Sequence, residues 1–286
     1  MTTRSVPAVR RGSLRSCSPA VAASALLVLA GAASPACAIV TGDEMSAPSE
    51  GYVGTFNGSS GVAIGAHWFI SAKHVGGSVN SSFTMKGVNY RAVQIVQHPT
   101  MDIMLVRVAE TLPGYHTIAE DADVQSGSPC VLGGWGVTAG DALSDGWNWN
   151  GPRKETWGAN LIDSAGSIIS IQFDGPNSGI AVPHEATFAV NDSGGGLFVY
   201  GPEGDLRLAG IAVSVTGWGS SRYGNAAFAI SLPQLFNWIM PYVDPSRPLA
   251  SSVEAPRASL GHPVTTLLFL GTAGSTLMGR AGRRRR

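Results

Sequence analysis

Cysteine is nearly absent from this chain: three residues in 286, at positions 17, 37 and 130. A scaffold stapled by many disulfides is excluded, and the fold must rest on its apolar core. Charge is scarce as well. Only 13% of residues are Asp, Glu, Lys or Arg, and 19 basic residues balance 19 acidic ones. That neutral balance gives no electrostatic ground for binding nucleic acid. His67, His98, His116, His184 and His262 show no ligand spacing, so no metal and no cofactor is expected. What is plentiful is glycine, 37 residues, in a chain that is 44% hydrophobic. Such a composition suits a globular, loop-rich β protein and not a disordered tail or a coiled coil.

The two ends differ from the middle. Residues 1–38 carry Arg4, Arg10, Arg11 and Arg15, no acidic residue, then the apolar run "AVAASALLVLAGAA" and Ala36-Cys37-Ala38. A basic flank, an apolar stretch and small residues at x-flanked positions make a secretory signal peptide, too short for a comfortable membrane span. Its removal takes Cys17 and Cys37 with it and leaves Cys130 as an unpaired, inert, buried thiol. Residues 247–286 read as a linker and an addressing tail, with an apolar stretch from Pro263 to Gly279 followed by Arg280 and Arg283 to Arg286. Basic residues at that end stay on the cytoplasmic side and hold everything upstream outside. With "VEAP" ahead of it, the segment resembles the PEP-CTERM sorting tails of bacteria, although Pro-Glu-Pro is usual there; a plain C-terminal anchor is the competing view. The expected location is therefore extracytoplasmic: secreted, or sorted to the cell surface. The tail would engage the membrane before processing. Signal peptidase and a sorting transpeptidase are the expected processing partners.

Between these ends, residues 39–246 form the expected folded domain. Short apolar or alternating runs are separated by Gly, Asn, Asp and Pro: "YVGTFNG", "GVAIGAHWFIS", "YRAVQIVQ", "DIMLVRV", "PCVLGGWGV", "ANLIDS", "SIISIQF", "ATFAV", "GGLFVY", "LRLAGIAVSV" and "AAFAISL". Many short strands with turn signals between them predict an all-β barrel or sandwich. One helix is predicted in "SLPQLFNWIMPYV", capped by Ser231 with Gln234 as reciprocal partner, and with Leu235, Phe236, Ile239 and Met240 on its apolar face. Residues 140–158 read as a long surface loop whose three tryptophans could alternatively line a groove.

Three positions carry chemistry. "NDSGGG" sets Ser193 among glycines, where another backbone can approach its hydroxyl closely. A serine nucleophile needs a base within reach and a buried carboxylate to orient that base. "WFISAKHV" places His74 just after a strand, and "HPTMDIMLVRV" places Asp102 at the head of another.

These blocks resemble those of the trypsin/chymotrypsin family of serine proteases. "ISAKHV" is similar to its Ala-Ala-His-Cys block, "DIMLVRV" to Asp-Ile-Ala-Leu-Leu, "NDSGGG" to Gly-Asp-Ser-Gly-Gly-Pro and "CVLGGWGVT" to the Ser-Gly-Trp-Gly segment. "LAGIAVSV" resembles the strand lining the substrate cleft, and "FNWI" falls in the terminal helix. The resemblance implies two six-stranded antiparallel Greek-key barrels, the active site between them, and a C-terminal helix. It implies a serine endopeptidase acting on protein or peptide through an acyl-enzyme. His74 would be general base and acid, Asp102 its orienting carboxylate and Ser193 the nucleophile, with backbone N–H groups of Asn191 and Ser193 as the oxyanion hole.

Departures from the family bear on that reading. Asn191 stands where glycine is usual, but asparagine tolerates positive φ. Lys73 replaces a small residue beside the base; its ammonium either opposes protonation of the imidazole or snorkels to water. Ser59 and Val75 fall where one disulfide is common, and Val199 faces Cys130 at another. Only 28 positions separate His74 from Asp102, too few for the family's calcium loop. The resemblance also implies that a new terminus at Ile39, in Ile39-Val40-Thr41-Gly42, pairs its ammonium with Asp192 and orders the oxyanion loop. No Arg or Lys precedes Ile39, so signal peptidase is expected to expose that terminus itself. Among the substrate-binding positions, Thr187 replaces a trypsin's pocket-floor aspartate, Ser214 lies on the cleft strand and Thr216 would narrow the pocket. Cleavage after small or medium uncharged residues is the expectation. The alternative is a protease-like surface binding module that no longer cleaves.

Overall fold

The computed structural model describes residues 39–244. The expected leader and tail, 1–38 and 247–286, lie outside these residues. Among the described residues no helix is long and apolar enough to cross a membrane.

Seventeen strands follow one another along the described residues. They begin with β1 (Val40–Thr41), β2 (Val53–Phe56), β3 (Ser59–Gly65), β4 (Trp68–Ser71), β5 (Ser82–Met85), β6 (Val88–Gln97) and β7 (Met104–Val108). After a linker come β8 (Pro129–Gly134), β9 (Ala142–Leu143), β10 (Gly146–Asn148), β11 (Thr156–Leu161), β12 (Ile168–Gln172) and β13 (Ala186–Thr187). The last four are β14 (Gly196–Tyr200), β15 (Leu206–Val215), β16 (Ser220–Arg222) and β17 (Ala226–Ser231).

Strands β2 to β7 close into a barrel in the order β2-β3-β4-β7-β6-β5, every pair antiparallel. Its first hairpin turns on Asn57 and Gly58, both at positive φ, as a two-residue turn matched to strand twist requires. Phe69 stacks on Phe83 at 4.1 Å and meets Phe56 edge-on at 5.0 Å, filling the interior with aromatic surface.

The second unit is a six-stranded antiparallel sheet, β11-β8-β14-β15-β17-β12. It is a half-barrel whose edge strands do not form a ladder. Asn160 on β11, almost fully buried, joins the edges instead: its side-chain amide donates to the Gln172 carbonyl on β12 at 2.8 Å and to that of Ala186 at 2.7 Å. Cys130 and Val199 sit in its core with Leu132, Ile169 and Leu197. A third cluster, including Ile70, Leu105, Val131, Phe198, Leu208 and Ile239, packs the two units and the helix together. That cluster fixes the cleft between them.

Two sequence expectations are corrected. Residues 140–158 are not a plain loop: they contain the β9–β10 hairpin and the start of β11, and Trp157 is buried in the inter-unit core. The terminal segment is a 3-10 turn, Pro233–Leu235, followed by α1 (Phe236–Val243), with no side-chain cap. Ser231 still belongs to β17, where its N–H donates to the Ser167 carbonyl, and the N-cap position falls on Leu232, which has no side-chain oxygen to cap with. The buried face is set by Ile239, with Leu235, Trp238 and Tyr242 packed against the same core in place of Phe236 and Met240.

Candidate active site

His74 lies on a 3-10 turn, Lys73–Val75, directly after β4. Asp102 precedes β7, which pairs with β4, so the two elements bring their ends together. The His74 backbone N–H donates to Asp102 Oδ1 at 2.8 Å, and its Nδ1 lies 2.5 Å from Oδ2. A carboxylate only accepts, so Nδ1 carries the proton and Nε2 is left as an acceptor. Ser193 Oγ stands 2.7 Å from that Nε2. The hydroxyl, imidazole and carboxylate thus form one continuous chain of hydrogen bonds across the cleft.

The carboxylate is not buried, contrary to the sequence expectation. The Asp102 side chain is 36% exposed and that of His74 46%. Lys73 also differs from both expectations, since its ammonium neither faces the imidazole nor runs free into water; it donates to the His98 carbonyl at 3.2 Å.

Ser193 occupies a sharp turn between Asn191, at φ 70°, and Gly194, at φ 86°. Asn191 thus adopts the left-handed conformation that asparagine tolerates better than most residues. Among the described residues, the N–H groups of Asn191 and Ser193 donate to no protein acceptor, whereas Gly194 donates to the Ala212 carbonyl at 2.8 Å. A cavity of about 300 Å³ opens beside this turn. Phe188, Ala189, Val213, Val215, Trp149 and Trp218 are among its walls, and none of the lining side chains is charged.

The sequence model of the trypsin family matches residues 39–239, well over half the chain. The chain belongs to the trypsin family. A solved structure of neuropsin, described as a serine protease expressed in the limbic system of mouse brain, superposes with a TM-score of 0.55 at 18% identity, covering 72% of this chain and 100% of that one. At that identity the likeness shows a shared fold. No curated protein matches the chain.

Within this trypsin-family frame the remaining site residues can be placed. Ser214 lines the cavity, while Thr187 and Thr216 do not. Thr187 is buried in β13, paired with Val40. Thr216 turns its hydroxyl to the backbone of Ala226, accepting from that N–H at 2.9 Å, so it does not narrow the pocket. Trp149 was legible as a groove candidate; Trp218, on an irregular turn and 96% exposed, carried no sequence signal.

Asp192 is fully buried. Its Oδ1 accepts the Gly136 N–H at 2.8 Å and its Oδ2 that of Ala189 at 2.9 Å. Burial pushes its pKa up to about 7, against the opposing pull of those two donors and of the Arg153 charge. Ile39 and Val40 are also fully buried, Val40 on β1 against β13. With residue 38 attached, the Ile39 nitrogen is a peptide amide, so no Ile39–Asp192 ion pair is present. Cys130 is buried, and burial raises its thiol pKa far above the ordinary range.

Proposed function

We propose that this chain is a serine endopeptidase that cleaves through an acyl-enzyme. The observation that carries the reading is the Ser193 Oγ to His74 Nε2 contact of 2.7 Å, continued to Asp102 at 2.5 Å. His74 Nε2 takes the hydroxyl proton as Ser193 Oγ attacks the peptide carbonyl, then delivers it to the leaving amine. Asp102 holds Nδ1–H and stabilises the imidazolium that forms. The N–H groups of Asn191 and Ser193 receive the developing oxyanion. Water then attacks the acyl-enzyme, with His74 again acting as base.

The uncharged cavity wall supports a preference for an uncharged, apolar residue before the scissile bond. Because Thr216 leaves the cavity open, the size limit is looser than the small-to-medium class expected from sequence. Export and activation belong to the same proposal: signal peptidase removes residues 1–38, and the ammonium of Ile39 then neutralises Asp192. The buried, otherwise unpaired carboxylate supports this role, since such a group is stabilised strongly by a cation. The tail would address the protein to the cell surface.

The experiment is a fluorophosphonate probe together with a peptide library, applied to protein beginning at Ile39. Labelling that disappears in Ser193→Ala, with cleavage after apolar residues, is the expected result. A protein that stays unlabelled while folded is a binding module and not a protease. Strong cleavage after Arg would overturn the specificity, and full activity with one extra residue before Ile39 would overturn the activation mechanism.

A further inference from the structure

Asp102 is held unusually lightly. Among the described residues, its carboxylate accepts hydrogen bonds only from the two donors of His74, and its side chain is 36% exposed. Neither burial nor the half-barrel fixes it. Its position is therefore set by the turn on which it sits, residues 98–102 between β6 and β7.

That turn is fastened from inside. The His98 N–H donates to the Ile103 carbonyl at 2.9 Å and closes it. His98 Nδ1 then accepts two backbone donors, the N–H of Met101 at 2.9 Å and of Thr100 at 3.3 Å. The imidazole nitrogen does here what an Asn or Asp oxygen does when it caps a turn. Its ring is kept in place edge-on against Trp238 of α1, centroids 4.8 Å apart. Accepting twice through Nδ1 requires neutral His98 with its proton on Nε2. Burial and the nearby Lys73 charge both lower the His98 pKa, which favours that form.

Lys73 clamps the turn from outside. Its ammonium donates to the His98 carbonyl at 3.2 Å and its backbone N–H to the Asp102 carbonyl, also at 3.2 Å. One residue, adjacent in sequence to His74, thus grips both ends of the turn that carries the carboxylate. The imidazole and its partner are referenced to the same peptide.

We propose that Lys73 and His98 are positioning residues that hold the Asp102 carboxylate on the His74 imidazole, in place of the burial this site lacks. The inference rests on His74, Asp102 and Ser193 acting together, as proposed above. A displacement of about 1 Å in such a group costs on the order of a hundredfold in rate, so a loosened turn is felt in catalysis before it is felt in stability.

The test compares Lys73→Met and His98→Ala with the conservative Lys73→Arg and His98→Asn in the active protein. The first readout is the proton NMR signal of His74 Nδ1–H, far downfield because of its short bond to Asp102; it requires no turnover. We expect that signal to move upfield or vanish in the first two variants and to persist in the second two. Turnover should follow it, with kcat down by about tenfold or more and KM within about twofold. The inference is overturned if folded Lys73→Met and His98→Ala keep the signal, or if the conservative variants lose it equally. Should His98→Ala fail to fold, Lys73→Met decides alone, because the Lys73 side chain is only half-buried. A wild-type protein showing the signal but no turnover contradicts the proposed function and leaves this inference standing.

Discussion

Ser60, on the first barrel, donates its backbone N–H to the carbonyl of Ser193 across the cleft at 2.9 Å. Ser71, also fully buried, donates its hydroxyl to the Ser60 carbonyl at 2.7 Å. The turn that carries Ser193 is thereby docked on the barrel that carries His74. The close approach needs Gly194: a Cβ there would meet the Ser60 carbonyl and the Ser71 hydroxyl, at a backbone φ of 86°. Gly194→Ala should lower stability by about 1–3 kcal/mol and turnover by far more, since the turn must move away from His74. Thermal unfolding and fluorophosphonate labelling check the two parts.

Asn191 sits at φ 70° immediately before Asp192. Left-handed backbone costs an ordinary residue about 1–2 kcal/mol, and asparagine less. Asn191→Gly should therefore keep turnover within a few-fold and leave stability nearly unchanged. Asn191→Val, branched at Cβ, should destabilise the oxyanion turn and cut kcat by at least about tenfold. Measured kcat values for the two variants check this. Equal activity in both would show that the turn does not depend on which side chain stands at 191.

The strands that build the site were legible because they are alternating or continuously apolar and end in turn residues: β3 and β4 before His74, β7 after Asp102, β14 and β15 around Ser193. Their order of blocks gave the frame. What stayed hidden has a common physical cause. Strand β16, "SSR", is short and polar, and β5, "SFTM", alternates polar and apolar residues over only four positions, so pairing with neighbours more than local pattern makes them strands. Trp157 looked like part of a loop because glycine, asparagine and charge surround it, although it ends in the core. The cap expected at Ser231 failed because β17 runs through that residue. The exposure of Asp102, and the bracing of its turn by Lys73 and His98, depend on contacts between distant segments that no local window contains.

His116 is buried between the two units. The Tyr52 N–H donates to its Nε2 at 3.2 Å, and its Nδ1–H donates to the Leu206 carbonyl at 3.1 Å. Burial lowers its pKa to about 4, helped by the Lys86 charge and opposed by the Leu206 bond. In the unfolded chain a histidine titrates near about 6.5. Between those values the unfolded state binds the proton that the folded state refuses, so stability is lost as pH falls through that window. The loss is at most about 3 kcal/mol. Removing the titration with His116→Gln should flatten this part of the acid loss. Melting temperatures of both proteins across the window measure it, and parallel curves would contradict it.

Asp192 acts in the opposite sense. With its pKa raised to about 7, the uncut folded chain holds a proton that the unfolded chain has already lost. Stability should therefore fall as pH rises from about 4 to about 7, by an amount of order 4 kcal/mol at most. Glu185, also raised to about 7, adds the same slope to any form of the protein, so it cancels in a comparison of two forms. In the proposed activation, a chain beginning at Ile39 would bring an ammonium to Asp192 and keep the carboxylate charged, which would remove the penalty. The melting temperatures of the uncut chain and of the chain starting at Ile39 should therefore diverge as pH rises from about 4 to about 7. Asp192→Asn in the uncut chain should abolish its share of the slope, while the same substitution in the cut chain should abolish activity. A constant difference between the two forms over that range would mean that the new terminus does not reach the carboxylate.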